Sequence, residues 1–378
     1  MNLPIRPRRF SNRRAFTIIE LLVAVGVTVL MVSLMLTIVV NVLSGWNKSS
    51  GTLTSGNQAR LVLDQISRDL QSAILKRDGN GWMVATIQQN QSGIGDAGVT
   101  GAAWVESKPS AAGSGDPTLN TTSFVVPSVA GGTIPLIDDY RFGQGGVWLR
   151  FFTSGPGSND GLLQHISAPR AVAYQIVRLP VVANSKEVRY QLFRSEVRPS
   201  HSNATLAARS TFAVGYNMLD KNAIYNIPSG TNSGDYINGT VDEGGEPGSI
   251  RRPDRNQLIA NNVIDFGVRI WTRNTTNTLV IKFPSSLTNF GFAATTNDGT
   301  NGTAAAVPPG QSSGAVTAAQ MTYGFPEVIE VFVRILTDDG VNQIANFEDG
   351  RIPGNWWDIA LANSRVYSRR IEIKNTGL

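Results

Sequence analysis

The chain contains no cysteine and only two histidines, His165 and His201, in 378 residues. Disulfides, thiolate metal sites and thiol nucleophiles are therefore excluded, and an oxidising compartment is allowed without being indicated. Charge is scarce at 16% of residues, and its net excess of +5 is confined to one end. Arg6, Arg8, Arg9, Arg13 and Arg14 lie within the first 15 residues, where there is no acid. Without them the Lys+Arg count falls from 33 to 28, equal to the 28 Asp+Glu. A neutral body lacks the clustered Lys and Arg that phosphate binding requires, so no nucleic-acid partner is expected. Hydrophobic residues make up 41%, enough for one large or two ordinary domains. No repeat is evident, and one elaborated head rather than two independent cores is expected. The 38 glycines fall largely with Asn, Ser and Thr in stretches that read as surface loops.

What is present begins at Phe16. From there to Leu43 the chain runs for about 28 residues with Glu20 as its only formal charge, long enough to cross a bilayer as a helix. Five arginines ahead of the run place the N-terminus in the cytoplasm by the positive-inside bias, with everything after Lys48 outside. A cleaved secretory signal would have a shorter apolar region, about 7 to 15 residues, ending at a small-residue cleavage site. A plain anchor fits the length but leaves unexplained a carboxylate at the start of the apolar stretch, which is costly in a membrane unless paired. Beyond the span, Trp46 suits the outer interface or helix packing equally. Gly51 and Gly56 predict a local melt or bend. From Asn57 the apolar residues Leu63, Ile66, Leu70 and Ala73 or Ile74 recur at helical spacing, with Asp64 and Arg68 as an i,i+4 pair on the polar side, and the helix is expected to end near Gly79.

The basic leader, Ala15, Phe16, an acid at the fifth position from Phe16 and the unbroken apolar helix together resemble the N-terminal signal of type IV prepilins and type II secretion pseudopilins. The resemblance implies that prepilin peptidase cuts between Ala15 and Phe16 and methylates the new Phe16 amine. It also implies that Glu20 neutralises the N-terminal amine of a neighbouring subunit during assembly. The family usually has glycine before the cut, where this chain has the small residue Ala15. Later segments add to the likeness. Val188-Arg-Tyr190-Gln-Leu-Phe193-Arg194, then Val263-Ile-Asp265-Phe266-Gly-Val-Arg269, then Phe325-Pro-Glu327-Val succeed one another in an order similar to the head of J-type minor pseudopilins. The closing stretch from Trp357 to Ile371 is similar to the large prepilin-like proteins called Verru_Chthon cassette protein C.

On this reading the fold is α+β and pilin-like: a long N-terminal helix packed on a mainly antiparallel sheet with loop insertions. The parts are a leader (1–15), a transmembrane and assembly helix (16–45), its amphipathic continuation (46–79) and a periplasmic head (80–378). Strands are expected near 82–88, 122–127, 146–154, 171–181, 187–197, 258–272, 278–283, 326–337 and 366–374, with a short helix at 355–365 whose Trp356 and Trp357 cover a sheet face. Segments 91–119, 228–250 and 294–320 read as surface excursions. The expected function is that of a minor structural subunit of a secretion pseudopilus or pilus-like filament. The expected partners are the peptidase, other pilins and the cytoplasmic membrane, where the chain sits single-pass before joining a filament. An adhesive or ligand-binding subunit and a plain anchored periplasmic domain are the alternatives.

Catalytic motifs are missing. Gly93-Ile-Gly95-Asp-Ala-Gly98 spells G-x-G-x-x-G, but a glutamine-rich run precedes it and a glycine-rich one follows, so it reads as a loop and not a dinucleotide site. His165 and His201 have no metal-ligand pattern nearby. No enzymatic role and no cofactor are expected. Calcium has two candidate loops: Asp235, Asp242, Glu243 and Glu246, and Asp338-Asp339 with Glu348-Asp349. Carboxylates on flexible loops suit calcium, the spacing matches no EF-hand, and an ordinary solvated loop is the competing reading.

Overall fold

A computed structural model describes residues 17–87, 147–154, 169–180, 188–200, 204–208, 210–219, 250, 255–284, 291–296, 321–348, 351–353 and 356–373. It contains an N-terminal apolar helix followed by mixed helices and mainly antiparallel sheets, an α+β composition. Two compact units divide at Gly51 and Thr52. The first unit holds the apolar start of helix α1 (Ile18–Gln71), and the last twenty residues of α1 belong to the second. The expected strand at 122–127 and the G-x-G-x-x-G segment lie outside the described residues.

In the second unit, hydrophobic runs become β1 (Met83–Ile87), β2 (Val147–Thr153), β3 (Arg170–Pro180), β4 (Val188–Val197), β5 (Leu258–Asn261), β6 (Val263–Arg273) and β7 (Leu279–Phe283). They are followed by β8 (Gly291–Ala294), β9 (Met321–Tyr323), β10 (Val328–Leu336) and β11 (Ser364–Glu372). These strands form two sheets, not one. A seven-stranded sheet has the order β5-β4-β3-β2-β1-β8-β9, and a four-stranded sheet the order β11-β10-β6-β7. Every pairing is antiparallel except that of β8 with β9. The stretch expected as a single strand over 258–272 breaks at Asn262, whose φ of 63° is one that asparagine tolerates better than most residues. That kink sends β5 into one sheet and β6 into the other. Asn262 is held there by its carbonyl, which accepts from Leu336 N (2.9 Å), and by Arg189 donating to its side-chain oxygen (3.3 Å).

All seven residues of β2 are buried. Successive strand residues point to opposite faces, and here both faces find partners. Phe151 stacks on Tyr174 of β3, which also meets Phe266 of β6 across the sheets, while Phe152 packs against Trp82 and Tyr216. The head-side part of α1 buries Ala59, Val62, Leu63, Ile66 and Leu70 in the same core. Each of its large aliphatic side chains contributes about 1.5–3 kcal/mol on burial.

Two helix expectations are corrected. No melt occurs at Gly51–Gly56, because this stretch is packed. Ser55 Oγ donates to Thr52 O and hydrogen-bonds Tyr367 Oη of β11 (both 3.0 Å), and Gly56 faces the same tyrosine. The helix ends at Gln71 instead of near Gly79. Ser72 Oγ caps Arg68 O and bonds Thr153 Oγ1, Ala73 bridges to Thr153, and Ile74 N donates to Phe152 O (2.9 Å), so the end of β2 captures the chain. The Asp64–Arg68 pair is supplemented by a stronger partner, although the Arg68 charge still favours the ionised Asp64. Asp64 bonds Arg369 of β11, and Arg68 Nε donates to the Asp64 carbonyl (3.4 Å).

Short helices α2 (Ala204–Ala207) and α3 (Thr211–Val214) precede α4 (Asp338–Glu348) and α5 (Trp356–Ala362). Helix α4 corrects the second calcium candidate. Asp338 and Asp339 open it behind Thr337, whose Oγ1 accepts from Gly340 N (3.2 Å), and Glu348 closes it. Acids at the two ends of an 11-residue helix are about 15 Å apart and cannot share one ion. Asp349 lies outside the described residues, as do the side chains of Trp356 and Trp357.

Candidate functional site

Ala15 and Phe16 precede the first described residue, Thr17. From Ile18 to Leu43, 26 residues, the helix is long and apolar enough to cross a membrane, and none of it is buried within the chain. At 1.5 Å per residue it spans about 39 Å, against a hydrocarbon core of about 30 Å. Its two threonine hydroxyls are satisfied internally, which suits a hydrocarbon environment. Thr28 Oγ1 donates to Ala24 O and Val25 O (3.0 and 2.8 Å), and Thr37 Oγ1 to Ser33 O (2.9 Å).

Glu20 sits in a reciprocal cap. Thr17-Ile-Ile-Glu20 has the T-x-x-E spacing that lets the first residue accept from the fourth residue's N–H while the fourth side chain reaches back. Glu20 N donates to Thr17 Oγ1 (3.3 Å), and Thr17 N and Oγ1 both donate to Glu20 Oε2 (2.9 and 3.0 Å). The arrangement fixes the carboxylate at the helix N-terminus, where the helix dipole favours negative charge. It occupies one oxygen, and Oε1 has no partner among the described residues. A preoriented anion with one oxygen left to accept suits a cationic partner.

A second polar cluster joins α1 to the seven-stranded sheet. Asp69, one residue before the core residue Leu70, is 7% exposed. Its Oδ2 accepts from Tyr174 Oη and from Arg194 Nε (2.6 Å), its Oδ1 from Arg194 Nη2 (3.3 Å) and Gln65 Nε2 (3.4 Å). Arg194 also pairs with Glu196 (2.6 Å), which takes Arg170 on its other oxygen (2.9 Å). Burial, reinforced by the Asp69 charge, raises the Tyr174 hydroxyl well above the ordinary tyrosine range. Arg194 is likewise held in its charged form: burial opposes this, and Asp69, Tyr174 and Glu196 overcome it. This cluster is a structural clasp. The sequence signal for it was an acid on the apolar side of an amphipathic helix, three residues after Ile66, which implies a buried partner.

Asp235, Asp242, Glu243 and Glu246 lie outside the described residues, as do His165 and His201. Among the described residues no group of three or more His, Asp or Glu is placed to hold a metal ion. No protein-family model, curated protein or solved structure matches this chain.

Proposed function

We propose that this protein is a prepilin-like subunit of a type II secretion pseudopilus or type IV pilus-like filament. The observation that carries the reading is the N-terminal constellation: five arginines, Ala15, Phe16, then a 26-residue stretch of helix, Ile18–Leu43, whose only charge is Glu20 and none of which is buried within the chain. Prepilin peptidase cuts before Phe16 and methylates its amine. Glu20, oriented by Thr17, offers Oε1 to the amine of a neighbouring subunit, which answers the cost of a lone carboxylate in an apolar surrounding. The head is large, and such bulk crowds a regular shaft, so a minor, tip-type position suits it better than a major one. The role is mechanical and not catalytic.

One observation favours the plainer reading of a membrane-anchored periplasmic domain. The cap with Thr17 gives Glu20 a use that needs no second chain. Glu20→Gln separates the two readings, because a glutamine still caps the helix but carries no charge. In the native host the variant is expected to insert in the membrane normally and to fall at least about tenfold in the sheared filament fraction, the equivalent of losing one charged contact. Unchanged recovery with filament-associated protein would leave the chain an anchor.

A further inference from the structure

Neither the apolar helix nor the Asp69 clasp makes use of a cavity at the mouth of the two sheets. β7 is the edge of the four-stranded sheet and β9 the edge of the seven-stranded one. The two are tied by Thr322 Oγ1, which donates to Lys282 O (3.0 Å) and to Gly291 O (3.2 Å). Beside this tie opens a cavity of about 520 Å³, within the range of small-molecule sites.

Its wall carries unbalanced charge. Arg77, Arg273 and Lys282 line it against a single acid, Glu327. Arg273 Nε lies 2.8 Å from Glu327 Oε2, so these two neutralise each other. Arg77 rests 5.0 Å over the Phe325 ring, and neither it nor Lys282 has a carboxylate partner among the described residues. Two positive charges are left over in a concave, partly apolar wall, where a field is focused. Thr272, on the same face of the sheet as Lys282, is 4% exposed, and its hydroxyl has no hydrogen-bond partner among the described residues. Gly324 next to it has φ of 150°, a conformation L side chains avoid, so this part of the wall is bare backbone.

We propose that this cavity binds a small organic oxyanion, a carboxylate or phosphate held between Arg77 and Lys282 with its apolar part against Val280 and Phe325. Arg77 supplies a planar fork that matches either oxyanion, and Lys282 a compact charge that tolerates several ligand positions. The inference does not depend on whether the chain enters a filament.

The test is calorimetric titration of the full chain in neutral detergent micelles with D-galacturonate, inorganic phosphate and uncharged D-galactose, at low and high salt. At least one of the two anions is expected to bind, more weakly at high salt, and galactose is not. Binding of galacturonate alone assigns a carboxylate ligand, and binding of phosphate alone a phosphate ligand. The Arg77→Gln, Lys282→Gln double variant is expected to weaken binding at least about tenfold with an unchanged melting temperature. If the double variant melts early, Lys282→Gln alone carries the same expectation. Silence from both anions, galactose binding as well as galacturonate, or folded variants binding like the parent chain would overturn the proposal.

Discussion

Asp69 shows what a single buried charge does when every partner is present. Tyr174 and Arg194 reach it from β3 and β4, 105 and 125 residues away in sequence. Removing one member of a buried pair costs up to about 3–5 kcal/mol when the other is left stranded; here Tyr174 would lose its acceptor while Arg194 keeps Glu196 (2.6 Å), which puts the cost toward the lower end of that range. Asp69→Ala is therefore expected to destabilise the chain by roughly that amount, and Tyr174→Phe by less, about 1.5 kcal/mol, since Arg194 still covers the carboxylate. Denaturant titration of both variants checks the order, and a neutral Asp69→Ala would refute it. Tyr174 also fixes a pH dependence. Its hydroxyl titrates higher in the folded chain than in the unfolded one, so its contribution is complete below the ordinary tyrosine pKa of about 10 and is lost as pH rises toward the folded value. Stability is expected to fall above that point, and Tyr174→Phe to flatten the fall. None of this pairing is written locally. An acid beside Leu70 announces that a partner exists, but not which strand supplies it.

Helices and strands were legible where a hydrophobic pattern ran long enough to outweigh local exceptions. The runs at 147–153, 170–180, 188–197 and 328–336 show this. β8, Gly-Phe-Ala-Ala, and β9, Met-Thr-Tyr, are too short and too poor in β-branched residues to stand out, and pairing with neighbours decides them. Asn262 hid a change of sheet inside one apolar run, and Asp338-Asp339-Gly340, expected in a loop, is helical because Thr337 caps the turn. Glycine in a helix is ambiguous in the same way, and packing settles it differently in two places. A Cβ on Gly56 would lie 3.7 Å from Tyr367 Oη, an ordinary contact. Gly56→Ala is thus expected to stabilise the chain by about 0.5–1 kcal/mol. A Cβ on Gly340 would come within 2.7 Å of Asn363 Cβ and 2.8 Å of its carbonyl oxygen, so Gly340→Ala is expected to destabilise by about 1–3 kcal/mol. Melting temperatures of the two variants should move in opposite directions, and a shift of the same sign would show that helix propensity alone governs both.

At the scale of the whole molecule, one helix serves two environments. Its first part exposes apolar side chains within the chain, and its last part contributes Ala59, Val62, Leu63, Ile66 and Leu70 to the head's core. A chain begun at residue 50 is therefore expected to melt cooperatively without detergent, whereas one begun at Ile74, lacking that face, should not fold. Cooperative melting of the shorter chain would mean that the helix is an accessory to the head. The sequence showed the apolar run and its carboxylate, while the two-sheet head and the cavity between its edges depend on long-range pairings that no local pattern carries. The central claim, that Phe16 begins the mature chain, is most directly tested by the N-terminal mass of the protein extracted from the membranes of its own host. A chain starting at Phe16 and carrying one added methyl group is the expected result. A chain that still carries Arg6 to Arg14 ahead of an unmodified Phe16 would contradict it and leave the helix as an anchor.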